Sequence, residues 1–179
     1  MTIYYTADLH LGHEAILDFV SRPFTSIDSH DEQIVHNINH RLRGEDRLYV
    51  LGDFAWGKMN RVKHYRELIR CKNVHLIMGN HDPTTTTGRP LPELYRVFQD
   101  VRERKLLKDH LLGVGVQRIY MDHYPVWNWP AMDSGSYHLH GHVHGSDPSP
   151  REHVYDVGVD CWDYKPVTLM EIVSGRIES

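Results

Sequence analysis

Five short pieces of the chain hold most of the side chains that could bind metal ions or move protons. They are Asp8-Leu9-His10, Gly52-Asp53, Gly79-Asn80-His81-Asp82, His123 and Gly141-His142-Val143-His144. Their carboxylate, amide and imidazole donors suit Mn²⁺, Fe²⁺, Co²⁺, Ni²⁺ or Zn²⁺ better than Mg²⁺ alone. No cysteine falls within them, which argues against a structural zinc site. Such donors meet the needs of phosphate-ester hydrolysis. The anionic oxygens of the ester repel a nucleophile, and two divalent ions about 3.5–4 Å apart activate water, clamp phosphoryl oxygens and offset developing charge. Ions that close need an anionic bridge, and Asp53 has two carboxylate oxygens to offer. His81 neighbours Asn80 and can protonate a leaving alkoxide, because imidazole titrates near neutral pH. Asp82 is placed to orient that imidazole.

The elements that must position these residues are legible from apolar spacing. Residues 3–7 read as a buried strand, 48–51 as a second and 74–78 as a third. Asp8, Asp53 and Asn80 then follow three strand ends, and carboxyl ends of strands in α/β sheets converge on a ligand crevice. Helical spacing covers 14–20 and 59–70. Ser29-His30-Asp31-Glu32 reads as a capping box opening a helix with Ile34, Val35, Ile38 and Leu42 on its apolar face and Gly44 at its end. Residues 84–90 form a polar loop, and a short helical stretch runs over 91–97. Strand patterns then follow at 101–107, 117–122, 136–140, 154–157 and 167–172. His142 and His144, two apart on an extended backbone, would share a face. The first half alternates strand and helix and the second strings strands together, so a single α/β domain over 1–179, with helices on a mixed sheet or on two packed sheets, fits the pattern.

Composition narrows the function. The net charge of −4 supplies no global positive field for nucleic acid. The basic runs at 61–72 and 102–105 read as solvated faces. No apolar run is long enough to span a bilayer, and the N-terminus enters a strand pattern without a signal peptide. Cys71 and Cys161 lie far apart and outside any C-x-x-C pair, so they read as reduced thiols of a cytoplasmic protein. The fifteen histidines favour metal binding but cheapen any one motif. About one D-x-H triplet is expected by chance in such a chain. His138 and His140 read as structural, Trp127 and Trp129 as surface packing, and Asp160, Trp162 and Tyr164 as bracing under the site.

In this order and spacing, D-L-H, G-D, G-N-H-D, H-Y-P and G-H-V-H resemble the five signature motifs of the calcineurin-like metallophosphoesterase superfamily. L-H-L-G-H-E-A-I, R-P-F, L-G-D-F and V-G-V-D-C-W-D-Y-K-P-V resemble its small, stand-alone bacterial and phage members, so the resemblance spans nearly the whole chain. It implies a four-layer α/β sandwich with two central mixed β-sheets flanked by helices. It implies one ion on Asp8, His10, Asp53 and His144 and another on Asp53, Asn80, His123 and His142, with Mn²⁺ the first expectation. It implies a metal-bridging hydroxide attacking phosphorus in line, His81 as the acid, and substrate contacts at Asn80, His13 and Arg22. The superfamily's protein phosphatases carry an Arg after G-D, whereas this chain continues Phe54-Ala55-Trp56-Gly57. That points to small or nucleotide-like phosphoesters, with nucleic-acid ends as possible substrates rather than stably bound partners. A phosphodiesterase is the first reading and a phosphomonoesterase or nucleotide phosphatase the second. An inactive metal-binding scaffold is disfavoured because His81 and every ligand are kept. The tail usually reads N-V-G-V-D, where this chain has Asp156.

Overall fold

The computed structural model describes residues 1–146 and 151–177. Two four-stranded sheets are flanked by helices. The first is β1 (Ile3–Thr6), β2 (Arg47–Leu51), β3 (Asn73–Ile77) and β4 (Asp100–Arg102), in that order and wholly parallel. The second is β5 (Arg104–Leu111), β6 (Gly115–Asp122), β7 (Tyr137–His140) and β8 (Val154–Asp156). Here β5 and β6 form an antiparallel hairpin, and the other pairings are parallel.

Strand alternation divides the core. Leu48, Val50, Val74 and Leu76 pack with Ile34 and Ile38 of α2 (Ile27–Arg41), Val62 of α3 (Met59–Leu68) and Leu94 of α4 (Leu94–Val97). Tyr5, Tyr49, Leu51 and Ile77 lie in a second cluster with Ile119, Met121 and Leu139 from the second sheet. Successive side chains of a strand point to opposite faces, so each first-sheet strand must be apolar on both. The outermost layer is thin: Trp129 and Val126 pack on Tyr120 and Val154, beside a 3-10 turn at Met132–Ser134.

Register makes the strand ends level. Thr6 pairs with Val50 and Leu51 with Ile77, so Asp8, Asp53 and Asn80 emerge side by side. In the second sheet Met121 pairs with Leu139 and His140 with Asp156, which levels His123 with Gly141 and His142. The two edges are sewn together where Ala7 bridges Gly158 and Val159 N–H donates to Ala7 C=O.

Four boundaries differ from the sequence reading. The strand expected over 101–107 is two strands in different sheets, parted at Glu103. Val-Arg-Glu-Arg-Lys contains no glycine or proline to signal the crossing. The strand expected over 167–172 is a single bridge from Val167 to Tyr5, followed by helix α5 (Leu169–Ser174). Thr168 caps that helix reciprocally with Glu171, a capping box hidden by the β-branched run around it. The long helix α2 begins one turn earlier than expected, with Ser26 as N-cap and Ser29 at the third helical position. The first helix, α1 (Ile16–Phe19), is a single turn.

Ser26→Ala should therefore cost about 1 kcal/mol in denaturant unfolding. Glu32→Ala should cost only a few tenths, whereas a cap at Ser29 would have made Glu32 its partner.

Candidate metal centre

Burial leaves two donors unsatisfied at the seam. Asp8 is 0% exposed and His10 2%, and neither Asp8 Oδ1 nor His10 Nε2 has a hydrogen-bond partner. Orphaned buried polar atoms cost free energy, and a cation between them removes that cost. The other donors gather beside them. Asp8, His10 and His144 bring one ligand atom each to within 4.8 Å of one another, and so do Asp8, Asp53 and His123. Asn80 Oδ1 lies 2.9 Å from His123 Nε2 and 3.0 Å from His142 Nδ1. Asp53 Oδ2 stands between the groups, 3.5 Å from His10 Nε2 and 3.6 Å from His123 Nε2. Neighbouring donors on one divalent ion lie roughly 3 Å apart when each bond is about 2.1 Å. The residues present thus fit a divalent metal ion, and Asp8 belongs to both groups.

The far sides of the imidazoles are held. His123 Nδ1 donates to Leu51 C=O at 2.9 Å, and His144 Nδ1 donates to Asp160 at 2.7 Å. Each leaves Nε2 as a free lone pair, as a metal ligand requires. His10 Nδ1 lies 3.2 Å from His13 Nδ1. Burial pushes the His10, His123 and His142 imidazoles down and the Asp8 and Asp53 carboxyls up. The uncharged imidazole is already the ligand form, while the carboxylates bind a cation by giving up protons.

Backbone conformation aims the donors. Asp8, His10, Asp53, His142 and His144 all have positive φ, between 49° and 72°. The extended-strand argument for His142 and His144 is thereby corrected. Both lie past the end of β7, and left-handed turns send them to different donor groups. Two motif glycines make room for ligands of other motifs. A methyl on Gly79 would sit 2.2 Å from Asp53 Oδ1, and one on Gly141 would sit 2.4 Å from Asp8 Oδ2.

Two expected roles change. Arg22 is buried and does not reach the crevice. Its Nε and Nη2 donate to Asp160, and Nη2 also to Asp8 C=O. Its Nη1 meets Leu9 C=O and His30 Nε2, so all five donors are used. It is a brace, not a substrate contact. Asp82 does not touch the His81 ring. Its carboxylate accepts the N–H groups of Asp53, Phe54 and Gly79, tying the β2 and β3 loops together. Burial, then the neighbouring Asp53, pushes this carboxyl up to about 6. His13 lies under Trp56, rings 3.9 Å apart and 5° from parallel, so the indole presents the surface. His81 is exposed, its N–H donates to Asp53, and its ring lies 5.4 Å from that of His10.

Sequence reasoning missed Trp56 and understated Asp160, which touches the His144 ring directly. The run V-G-V-D marked Asp160, but only the fold shows where its carboxylate points. Asp156 accepts from Gly145 and Gly158 N–H and helps raise Asp8. His138 accepts from Val126 N–H and sits 3.4 Å from Tyr120 C=O, as a structural imidazole would.

Gly141→Ala should lose bound metal after dialysis against Mn²⁺, read by elemental analysis, while Gly44→Ala, with nothing within 4 Å, should not. His138, pushed down to about 4 by burial, gives a second expectation. The folded state then holds fewer protons than the unfolded one between pH 4 and about 6.5. Its contribution is intact above the unfolded value and falls away as pH drops, by roughly 3 kcal/mol at most. Urea titrations should show a shallower acid loss in His138→Gln.

No family model matches the chain. It is 27% identical over 179 residues to the uncharacterized protein MJ1445 of Methanocaldococcus jannaschii, covering 96% of this chain and 89% of that protein. It is likewise 27% identical over 198 residues to the Gene 66 protein of Mycobacterium phage D29, covering 98% of this chain and 97% of that one. Among solved structures, a protein of unknown function, AQ665 from Aquifex aeolicus, superposes with a TM-score of 0.70 at 25% identity, covering 96% and 97% of the two chains. The fold is shared over nearly the full length. Among the described residues no helix is long and apolar enough to cross a membrane.

Proposed function

We propose that the chain is a binuclear metal-dependent phosphoesterase, a phosphodiesterase first, acting on small or nucleotide-like substrates. The observation that carries this is the position of Asp53 Oδ2 between His10 Nε2 and His123 Nε2, beside the orphaned Asp8 Oδ1. Asp8, His10, Asp53 and His144 would hold one ion, and Asp53, Asn80, His123 and His142 the other, with Mn²⁺ the first candidate for the mixed donors. Ions held there would supply Lewis-acid polarisation of phosphoryl oxygens and a water of lowered pKa.

The chain's own residues do the rest. Asp82 and Arg22 fix the loops on either side, so the ligands are organised before substrate arrives. The His81 imidazole makes no hydrogen bond to any described residue, and its ring remains available to the leaving oxygen. Asn80, His81 and His142 are exposed at the mouth, which leaves space for a second ester substituent. That space is why a diester is preferred over a monoester.

A chelator should abolish hydrolysis of an activated aryl phosphodiester, and Mn²⁺ should restore it. Activity that survives thorough chelation overturns the reading. Asp53→Asn should lose both ions by elemental analysis. His81→Ala should keep them and slow turnover by about 10²–10⁴-fold. The slowing should shrink as the leaving group improves; a uniform loss across a leaving-group series removes the acid role.

A further inference from the structure

A cleft of ≈ 660 Å³ is walled by His13, Trp56, Asn60, Arg61, His64 and Tyr65, and the His13 and Trp56 rings lie 6.0 and 4.9 Å from that of His81. Trp56 is 39% exposed there. Its indole has close ring neighbours. One neighbour is the parallel ring of His13, and His13 Nδ1 is 3.2 Å from Nδ1 of the ligand His10. The indole also lies 4.9 Å from the His81 ring. The result is an aromatic wall beside the proposed metal centre. The opposite flank is different: the His123 and His142 rings pack at 5.0 and 4.7 Å on Tyr124, away from the cleft.

We infer that this cleft is the leaving-group subsite and that the group it takes is a nucleoside. The inference rests on the phosphoesterase reading and on the position of His81. A group that protonates the leaving oxygen lies on the side toward which that oxygen departs, so the substituent on that oxygen enters the Trp56 cleft. A flat base stacks on an exposed indole, and every base has a π-face for that contact. The rim carries Asn60, Arg61 and His64 with Asp28, donors and acceptors that can meet the edge of a base and a sugar hydroxyl. Arg61 already donates to Gly12 C=O, and Asn60 and His64 stand exposed at the rim, where a ligand with both polar and apolar groups can meet them. The chemistry balances as a hydrolysis: one water adds across the P–O bond, its oxygen joins phosphorus, and a proton ends on the nucleoside oxygen through His81.

The test compares leaving groups of similar basicity in the Mn²⁺-loaded protein. One arm sets a nucleoside 5′-monophosphate against methyl phosphate, and the other a dinucleoside monophosphate against dimethyl phosphate. Either nucleoside substrate should have the higher kcat/KM, and the preferred arm tells a free nucleotide from a nucleic-acid end. Trp56→Ala should shrink the ratio by about 5–150-fold, the usual worth of one base–aromatic stack, and Trp56→Phe should keep most of it. Calorimetric binding of adenosine 5′-monophosphate gives a readout apart from turnover, and should weaken in Trp56→Ala at unchanged metal content. Hydrolysis with equal kcat/KM for both leaving groups overturns the subsite and leaves the phosphoesterase reading standing. Nucleotide binding that depends on Trp56, without hydrolysis of any ester, overturns the phosphoesterase reading and keeps the nucleoside site. Nucleotide binding that is absent, or indifferent to Trp56, overturns the subsite.

Discussion

The structure depends on how it manages negative charge at the seam between two sheets. Asp8, Asp53 and Asp82 are buried there, and Asp156 and Asp160 lie beside them partly covered. Carboxylates taken out of water are costly unless each is paired or hydrogen-bonded. The fold satisfies some of them fully. Asp82 takes three backbone N–H groups, and Asp160 takes the fork of Arg22 together with the His144 ring. Those partners hold Asp160 below the usual carboxylate range despite its burial. Asp8 and Asp53 are left short. Asp8 has one oxygen on His142 N–H and the other on nothing, and Asp53 has one on His81 N–H and the other facing two imidazoles. The unmet carboxyl oxygens are concentrated where imidazole nitrogens converge, and that combination suits a divalent cation.

The seam is also where the backbone departs from regular structure. Left-handed conformation is unfavourable for residues with a Cβ, and it survives only where surroundings over-determine it. Five of the proposed ligands adopt it. What holds them is the meeting of the sheets. The loop after β1 runs along the loop after β2, with His10 N–H on Asp53 C=O and Leu11 N–H on Phe54 C=O. The loop after β7 is fixed by Gly141 N–H on His123 C=O and by Asp8 on His142 N–H. Strain at the ligands is thus offset by hydrogen bonds between elements distant in sequence.

This explains which parts were legible before the fold was known. Donor types and their position after strands depend on local pattern, so Asp8, Asp53, Asn80 and His123 could be placed from apolar runs and the turns that end them. The fold class followed from the same alternation. What could not be read is how side chains are used across the seam. Arg22 looked like a free cation near the crevice, yet its five donors are spent on Asp160, two carbonyls and His30. Asp82 stood next to His81 in sequence, but the turn points it at the backbone of β2's loop. The helix at 169–174 was misread because Val167 pairs with Tyr5 and the β-like run continues for a residue into the cap. Local pattern sets element type; tertiary partners set the role of each polar group.

The same partners tie the cleft to the candidate metal centre. The Tyr65 hydroxyl donates to Asp31 at 2.6 Å, and Asp31 also receives Gly12 N–H and the His30 ring. His30 meets Arg22, Arg22 holds Asp160, and Asp160 holds His144. A continuous chain of side chains therefore runs from the cleft wall to a proposed ligand. It explains why His30 and Asp31 are buried on a helix that is otherwise amphipathic. Burying two such polar groups is unfavourable unless both are satisfied, and here each is satisfied by the next. The wall of the cleft and the imidazole of His144 are thus linked through one hydrogen-bonded series of side chains. Under the proposed function, a substituent seated against that wall would stand in a defined relation to the donors that position its phosphorus.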